Sequence, residues 1–364
     1  MPWLLTAARW LLLLLAGAGI AATVLPSVNG NTWWVRVLDF PRLQFMAAMA
    51  AVGLLLALLP RRTWLSWAAV GALAVACACD AALLAPYTAL SPPQQAAAAS
   101  CPDGNRLRLL EANVQMTNRH GGSLLDIVRR ADPDVAWFQE VDGWWERELS
   151  ALGAAMPHGV AEVQPNYFGV HLLSKLPLSD PQVRHLTGSA DPSVFTGIRL
   201  PSGLSATLYA VHPRPPLVGQ STAERDAQLL AAALAARDDG GPHVIVGDMN
   251  AVPWEGVVHR ARRVGRLLDS RIGRGFFITW NAESSVMKWP LDQILPGPGF
   301  TLLSLQVLPA FGSDHQPLLA ELCLDPAAAP RQPPPALEPG DIEAAQAAVR
   351  AGQGAADKTG YKAR

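Results

Sequence analysis

Lysine is nearly missing from this chain: only four of its 364 residues are lysine, and charged residues of all kinds make up 16% of it. Lys+Arg total 29 against 30 Asp+Glu, for a formal net charge of -1. No uninterrupted basic run of five or more occurs in the soluble portion, so the footprint of a protein that grips long duplex DNA through many phosphates is weak. The nearest approach is Arg260, Arg262, Arg263 and Arg266, a pattern that more often marks a solvated helix face, with Arg119, Arg129, Arg130 and Arg214 scattered elsewhere. Cysteine is scarce too, with 4 in all. Cys77 and Cys79 fall in an apolar run, as packing or lipid-facing residues, while Cys101 and Cys323 flank the first and last soluble strands. Were those strands antiparallel neighbours, the two sulfurs could bridge, which would imply an oxidising compartment. Two unrelated thiols are the alternative.

What is abundant near the N-terminus is hydrocarbon. Apolar segments run over residues 4–25, 43–59 and 64–84, each about 17 to 22 residues and so matched to a bilayer core of roughly 30 Å. Trp3, Trp10, Trp33, Trp34, Trp64 and Trp67 stand near their ends as interfacial anchors would. Arg9 and Asp80 are the charged exceptions, each toward a segment end. No small-x-small cleavage site followed by polar sequence is clear, and two more apolar runs follow, so three membrane helices are expected over residues 1–85 rather than a signal peptide. Arg61 and Arg62 in the short second loop slightly favour a cytoplasmic position for it, leaving everything beyond residue 90 outside.

Residues 86–105 are rich in Pro, Ala, Gln and Ser and read as a linker. Residues 106–325 have ordinary globular composition, roughly 220 residues, within the size of one large domain. Residues 326–364 turn to Ala, Pro, Gln and Gly, which predicts a disordered tail with at most a transient helix over 342–350. Within the globular part, strands are expected over 107–112, 134–138, 168–173, 206–211, 243–246, 291–295 and 317–322. Helical periodicity marks 122–131, and Ser221-Thr-Ala-Glu224 has the spacing of a capping box opening a helix to about Arg237.

The chemistry lies at the strand ends. The first strand ends in Glu111-Ala-Asn113 and the second in Gln139-Glu140; the 206 strand leads to His212, and Val244-Ile-Val-Gly247 runs into Asp248-Met-Asn250. Asp292 follows Leu291, and Ser313-Asp314-His315 immediately precedes the final strand. One such residue is an ordinary turn; eight together, Asn113, Glu140, His212, Asp248, Asn250, Asp292, Asp314 and His315, make a site, because ligands collect where loops meet at one edge. The set suits metal-assisted hydrolysis of a phosphate ester. Mg2+ prefers carboxylate oxygens and water, and Glu140 with Asn113 beside it is the first candidate. Asp248 could deprotonate an attacking water, while Asn250 and His212 could bind phosphate oxygens. Asp314 and His315, adjacent in an extended segment, point to opposite sides and are not expected to bond directly.

These pieces resemble the endonuclease/exonuclease/phosphatase superfamily, which includes deoxyribonuclease-I-like nucleases, abasic-site endonucleases, sphingomyelinases and inositol-polyphosphate phosphatases. The resemblance rests on Glu111-Ala-Asn113, Asp134-Val-Ala-Trp-Phe-Gln-Glu140, Phe168-Gly-Val-His-Leu-Leu-Ser174-Lys175-Leu-Pro177, His212, Gly247-Asp248-Met-Asn250, Thr279-Trp280, Leu291-Asp292-Gln293-Ile294 and Gly312-Ser313-Asp314-His315-Gln-Pro317, in the family's order. It implies an α+β fold, a four-layered α/β/β/α sandwich of the deoxyribonuclease-I type, here preceded by the three-helix transmembrane region. It also implies Asn113, Glu140 and Asp314 around a Mg2+ ion (Mn2+ as a substitute), Asp248 and Asn250 serving the water and the transition state, and His212 and His315 at the scissile phosphate with Asp292 in support. Gln293 departs from the His or aromatic residue that many members carry there. The three-span anchor is similar to that of a group of bacterial membrane proteins in the superfamily, implying a multi-pass protein of the bacterial inner membrane with its catalytic domain extracytoplasmic.

The function expected from this reading is a membrane-anchored, metal-dependent phosphodiester hydrolase of nuclease type, acting on nucleic acid. The alternative is a phosphatase or phospholipase C-like hydrolase of lipid-linked or small phosphate esters, and a non-catalytic binding module is a third class. No protein partner is expected. Trp254 and Trp280 are candidates to line the substrate mouth.

Overall fold

In the computed structural model, residues 2–28, 30–60, 63–188 and 190–359 are described. Arg61 and Arg62, on which the expected orientation leans, lie outside them. The N-terminal region is α1 (Pro2–Val24), a short α2 (Trp33–Val37), α3 (Arg42–Leu58) and α4 (Trp64–Leu84). Two windows, Trp3–Ser27 and Trp64–Tyr87, are long and apolar enough to cross a membrane. The third expected span is corrected. Its helix α3 has 17 residues and rises only about 25 Å at the α-helical pitch, short of a bilayer core. It packs on α1 and α4 through Ala16, Met49, Leu56, Leu73 and Ala76. Asp80 also departs from expectation. Instead of reaching an interface it is fully buried, accepting from Arg42 Nη1 at 2.8 Å and Thr23 Oγ1 at 3.0 Å. Arg42 Nη2 in turn reaches Asp39 at 2.7 Å, as buried charge requires a partner.

The remainder is β1 (Arg106–Asn113), α5 (Gly121–Ala131), β2 (Val135–Gln139), α6 (Gly143–Leu149), β3 (His158–Glu162), β4 (Val170–Ser174), β5 (Leu178–Arg184), β6 (Ser193–Arg199), β7 (Ser205–Ala210), α7 (Ala223–Asp239), β8 (His243–Asp248), α8 (Gly256–Val264), β9 (Asp292–Pro296), β10 (Phe300–Val307), β11 (Leu318–Leu324) and α9 (Asp341–Thr359). The strands form two sheets, ordered β10-β11-β1-β2-β4-β3 and β5-β6-β7-β8-β9. Alternate residues of each strand face the other sheet, and Leu107, Leu109, Trp137, Leu208, Val246 and Leu322 fill the space between them. The outer faces are covered by α5 and α6 on one side, over Ala112, Ala136 and Phe138, and by α7 and α8 on the other, over Tyr209, Ile245 and Leu295. This is the four-layered α/β/β/α sandwich expected.

Strands β3, β5, β6 and β10 are absent from the sequence reading. β3 and β5 are sheet edges with mostly exposed or half-buried side chains, and β5 contains Pro181; an edge strand needs neither a clean alternation nor every N–H. The Ser221–Glu224 capping box does not form: Ser221 Oγ accepts from Ala223 N, while Glu224 pairs with Arg214 at 3.3 Å.

The presumed linker and tail are corrected as well. Within 86–105, Gln94 Oε1 accepts from Asp269 N at 3.0 Å and Gln95 Nε2 donates to Phe300 O at 3.0 Å. Cys101 is disulfide-bonded to Cys323, in β11. Beyond residue 325, Ala328 and Ala345 are fully buried. Helix α9 lays Ala345 into the core under α7 and α8, and Asp341 bonds Arg263 Nε at 2.6 Å and Arg260 Nε at 3.4 Å. Composition pointed to disorder because small and polar residues dominate; an Ala-rich α7 surface is one against which small residues can still pack closely.

Candidate active site

Two parallel pairs, β1 with β2 and β7 with β8, end at the same edge of the sandwich. β9 and β11 run antiparallel to their neighbours and begin there. Topology therefore delivers all eight candidates to one place. Asn113 pairs with Gln139 in register, which sets Glu140 just beyond the sheet; Asp248 pairs with Asp292 across β8 and β9. The backbone is bent hard at the edge. Glu140 and Asn250 hold positive φ of 62° and 47°, the region where a non-glycine residue is costly and commonly functional. Gly247 is needed for a different reason: a Cβ there would lie 1.9 Å from the Val211 carbonyl oxygen.

The side chains form two joined groups. In the first, Asn113 Nδ2 donates to Glu140 Oε1 at 3.1 Å and to Asp248 Oδ2 at 3.3 Å, and Met116 N donates to Glu140 Oε2 at 3.0 Å. Asp314 completes it from above, its Oδ2 accepting from Trp280 Nε1 at 2.9 Å. Ser313 Oγ donates to the Asn113 carbonyl at 2.8 Å, clamping the loop before β11 to the end of β1. In the second group His315 lies between two acids, with Nδ1 2.8 Å from Asp292 Oδ2 and Nε2 3.6 Å from Asp248 Oδ2. His212 Nε2 is 4.0 Å from the same Asp248 oxygen. Asn250 N donates to Asp248 Oδ1 at 2.9 Å, and Asn250 Nδ2 to Pro213 O at 2.9 Å.

Burial and neighbouring charge set the protonation states. Burial opposes charge on His315, but Asp292 and Asp248 outweigh it and push the imidazole up to about 10. Burial, with the His315 charge added, brings His212 down to about 3, so it is neutral at any working pH. Burial raises Asp248 to about 7 against the pull of His315. Asp292 is lowered, burial notwithstanding, by its bonded His315. Beneath them Glu111 is fully buried, and burial together with Asp292 raises it well above the ordinary carboxylate range. Glu111 was set aside in the sequence reading; its position one turn of the pleat before Asn113 was the available signal.

Asp248, Asp292 and His315 offer ligand atoms within 4.8 Å of one another, yet a protonated His315 already occupies the space between the two acids. Glu140 and Asp314 differ. Neither has a salt bridge to Lys or Arg among the described residues, and Asp314 adds to burial in raising Glu140. An acidic pair with no Lys or Arg partner, whose cationic neighbour is His315, and flanked by an amide, is a donor set that a hard cation fits.

A cavity of about 620 Å³ opens over both groups. Glu140, His212, Asp248, Asn250, Asp314 and His315 form its floor, and Trp280, Trp289, Phe168, Leu217, Val37 and Phe40 are among its walls. Trp280 thus lines the cavity, stacked on Trp289 with ring centroids 5.1 Å apart. Trp254 does not. It is buried against Tyr87 and Phe276 and donates Nε1 to the Asp39 carbonyl at 2.7 Å, because its position four residues past Asn250 carries it under the site. Gln293 is structural: it donates to Ala251 O at 2.7 Å and accepts from Arg271 at 2.8 Å, holding the loop after Asn250. The walls contributed by Val37 and Phe40 had no sequence signal.

The Endonuclease/Exonuclease/phosphatase family profile matches residues 110–315. Among solved structures, D. rerio TDP2 in complex with a single-strand DNA product is similar at 14% identity, covering 60% of this chain and 98% of that one with a TM-score of 0.51. The human Nocturnin catalytic domain with bound sulfate is similar at 18% identity, over 60% and 94%, with a TM-score of 0.50. At such identities these two show the fold alone. No curated protein matches the chain. The family profile spans more than half of the sequence and every residue of the site, and the chain belongs to the Endonuclease/Exonuclease/phosphatase family, whose named activities are hydrolyses of phosphate esters.

Proposed function

We propose that the protein is a membrane-anchored, divalent-metal-dependent phosphodiester hydrolase. The observation that carries this reading is the junction of the Glu140–Asp314 pair, which has no Lys or Arg partner among the described residues, with the Asp248–His315–Asp292 group at one cavity. Glu140 and Asp314, with Asn113 beside them, would hold the cation, Mg2+ being the best fit to such oxygens. When bound, the cation draws off charge that builds on the phosphate oxygens.

The chain's own residues do the rest. Asp248, raised toward neutrality, accepts a proton from the attacking water, as a base poised near the working pH should. The Asn250 backbone N–H fixes one oxygen of Asp248 and Asn113 Nδ2 orients the other, which still has a lone pair for the water. His315 remains cationic beside Asp292 and stabilises negative charge on the phosphate. His212, neutral, donates or accepts a hydrogen bond there. Burial of the floor excludes bulk water and strengthens each of these interactions.

The N-terminal helices support anchoring, and the Cys101–Cys323 bond supports an oxidising, extracytoplasmic face for the catalytic domain. The test is hydrolysis of bis(4-nitrophenyl) phosphate by the full-length protein with Mg2+, beside EDTA and His315→Ala controls. Turnover abolished by both controls is expected. Turnover that persists in EDTA, or none from the folded wild type, would overturn the reading.

A further inference from the structure

We infer that the substrate of this site carries a hydrocarbon chain, bound in a channel that the N-terminal membrane region and the catalytic domain build together; the inference rests on the hydrolase reading above. Two residues of the membrane region, Val37 at the end of α2 and Phe40 after it, line the cavity that holds His315 and Asp248. They are held in place from both sides. The Asp39 carbonyl between them accepts from Trp254 Nε1 at 2.7 Å, and the Phe40 ring packs on Trp289 with centroids 5.6 Å apart. Below, Asp39 bonds Arg42, which bonds Asp80 of α4. A floating tether would not need this; a wall of the site would.

The opposite wall leads the same way. Pro215, Pro216 and Leu217 line the cavity, and the segment they begin runs to the bundle: Thr222 N donates to Asn31 O at 2.9 Å, and Thr32 bridges Ser221. Leu217 and Val218 are 45% and 79% exposed, and Trp34 of α2 is 47% exposed. Exposed apolar side chains thus stand at both ends of a segment that joins the cavity to the end of the membrane helices, the arrangement a surface facing hydrocarbon would carry. The lining includes no Lys or Arg among the described residues. A polynucleotide would need cationic contacts for its neighbouring phosphates, whereas a membrane lipid phosphoester has one reacting phosphate and an apolar remainder. The geometry places the phosphate over Glu140 and His315 and the chain over Val37, Phe40 and Leu217.

A matched pair of chromogenic diesters isolates the chain's contribution. Methyl and dodecyl 4-nitrophenyl phosphate share the scissile bond and differ only in the alkyl group. With the full-length protein and Mg2+, kcat/KM for the dodecyl ester should exceed that for the methyl ester at least tenfold. Phe40→Gln should shrink the ratio severalfold. Since Phe40 is buried, Leu217→Gln at an exposed position provides a second variant whose folding is not at stake, and it should shrink the ratio too. Equal kcat/KM for the two esters, or a ratio that neither variant alters, would overturn the channel, as would a single-stranded oligonucleotide cleaved faster than the dodecyl ester. Failure to hydrolyse either ester would instead remove the hydrolase reading, and the channel with it.

Discussion

His315 and Asp292 face each other across 2.8 Å, from Nδ1 to Oδ2, although the residue adjacent to His315 in sequence is Asp314. Asp314 turns to the other side, toward Trp280 Nε1 at 2.9 Å. The two acids therefore do different work. Asp292 holds the imidazole charged and oriented, and Asp314 is left to the cation site proposed above.

That division predicts a particular pH profile. The base must be deprotonated, so activity rises with pH through the Asp248 value of about 7, displaced downward by a bound cation. The cationic imidazole must keep its proton, so activity falls as pH passes about 10. Asp292→Asn removes the carboxylate that sustains the His315 charge; the alkaline limb should move toward the ordinary histidine range and kcat should fall by roughly a hundredfold or more. An alkaline limb that stays put in Asp292→Asn would show that another group controls it.

Glu140→Gln keeps the size of the side chain and its bond to Met116 N while removing the charge. Half-saturating Mg2+ should rise by about tenfold or more, with near-wild-type thermal stability. An unchanged Mg2+ titration would take Glu140 out of the cation site.

The Cys101–Cys323 bond closes a loop with a sequence separation of 222. Disulfides typically stabilise by about 2 to 4 kcal/mol through the unfolded chain, and a loop this long lies at or above the upper end of that range in the chain-entropy account. Cys101→Ser should lower the unfolding midpoint while leaving kcat close to wild type, since neither sulfur approaches the cavity. Intact mass under non-reducing conditions, before and after reduction, reports directly whether the bond is made.

Asp341 pins the start of α9 through Arg263 and Arg260, and it is buried. Asp341→Ala leaves both guanidinium groups without that partner and should cost about 1 to 3 kcal/mol. Protease sensitivity of the C-terminal segment should rise with it. If limited proteolysis removes the segment equally fast from wild type and variant, α9 is not docked as described.

Much of the site could be read from the chain alone because it is local. One carboxylate, amide or imidazole at the end of a strand is an ordinary turn residue, but eight of them at successive strand ends are not, and in an α+β sandwich strand ends converge on one edge. Asn113, Glu140, His212, Asp248, Asn250, Asp292, Asp314 and His315 were all identifiable, and they do meet. The same local signal misplaced Trp254, whose side chain points beneath the site to Asp39. It also passed over Glu111, which shares a face of its strand with Asn113, because the burial beside Asp292 that sets its charge is a tertiary contact.

Composition and hydrophobic period, properties of consecutive residues, determined the apolar N-terminal helices, the α+β character of the globular domain and the set of chemical groups. Tertiary structure decided which acid holds His315, that 326–359 fold back onto the sandwich, and that Val37 and Phe40 enter the cavity. Each of these joins segments far apart in the chain. Such contacts depend on sheet register and on the shape of the facing surface, and no period within a single segment records either.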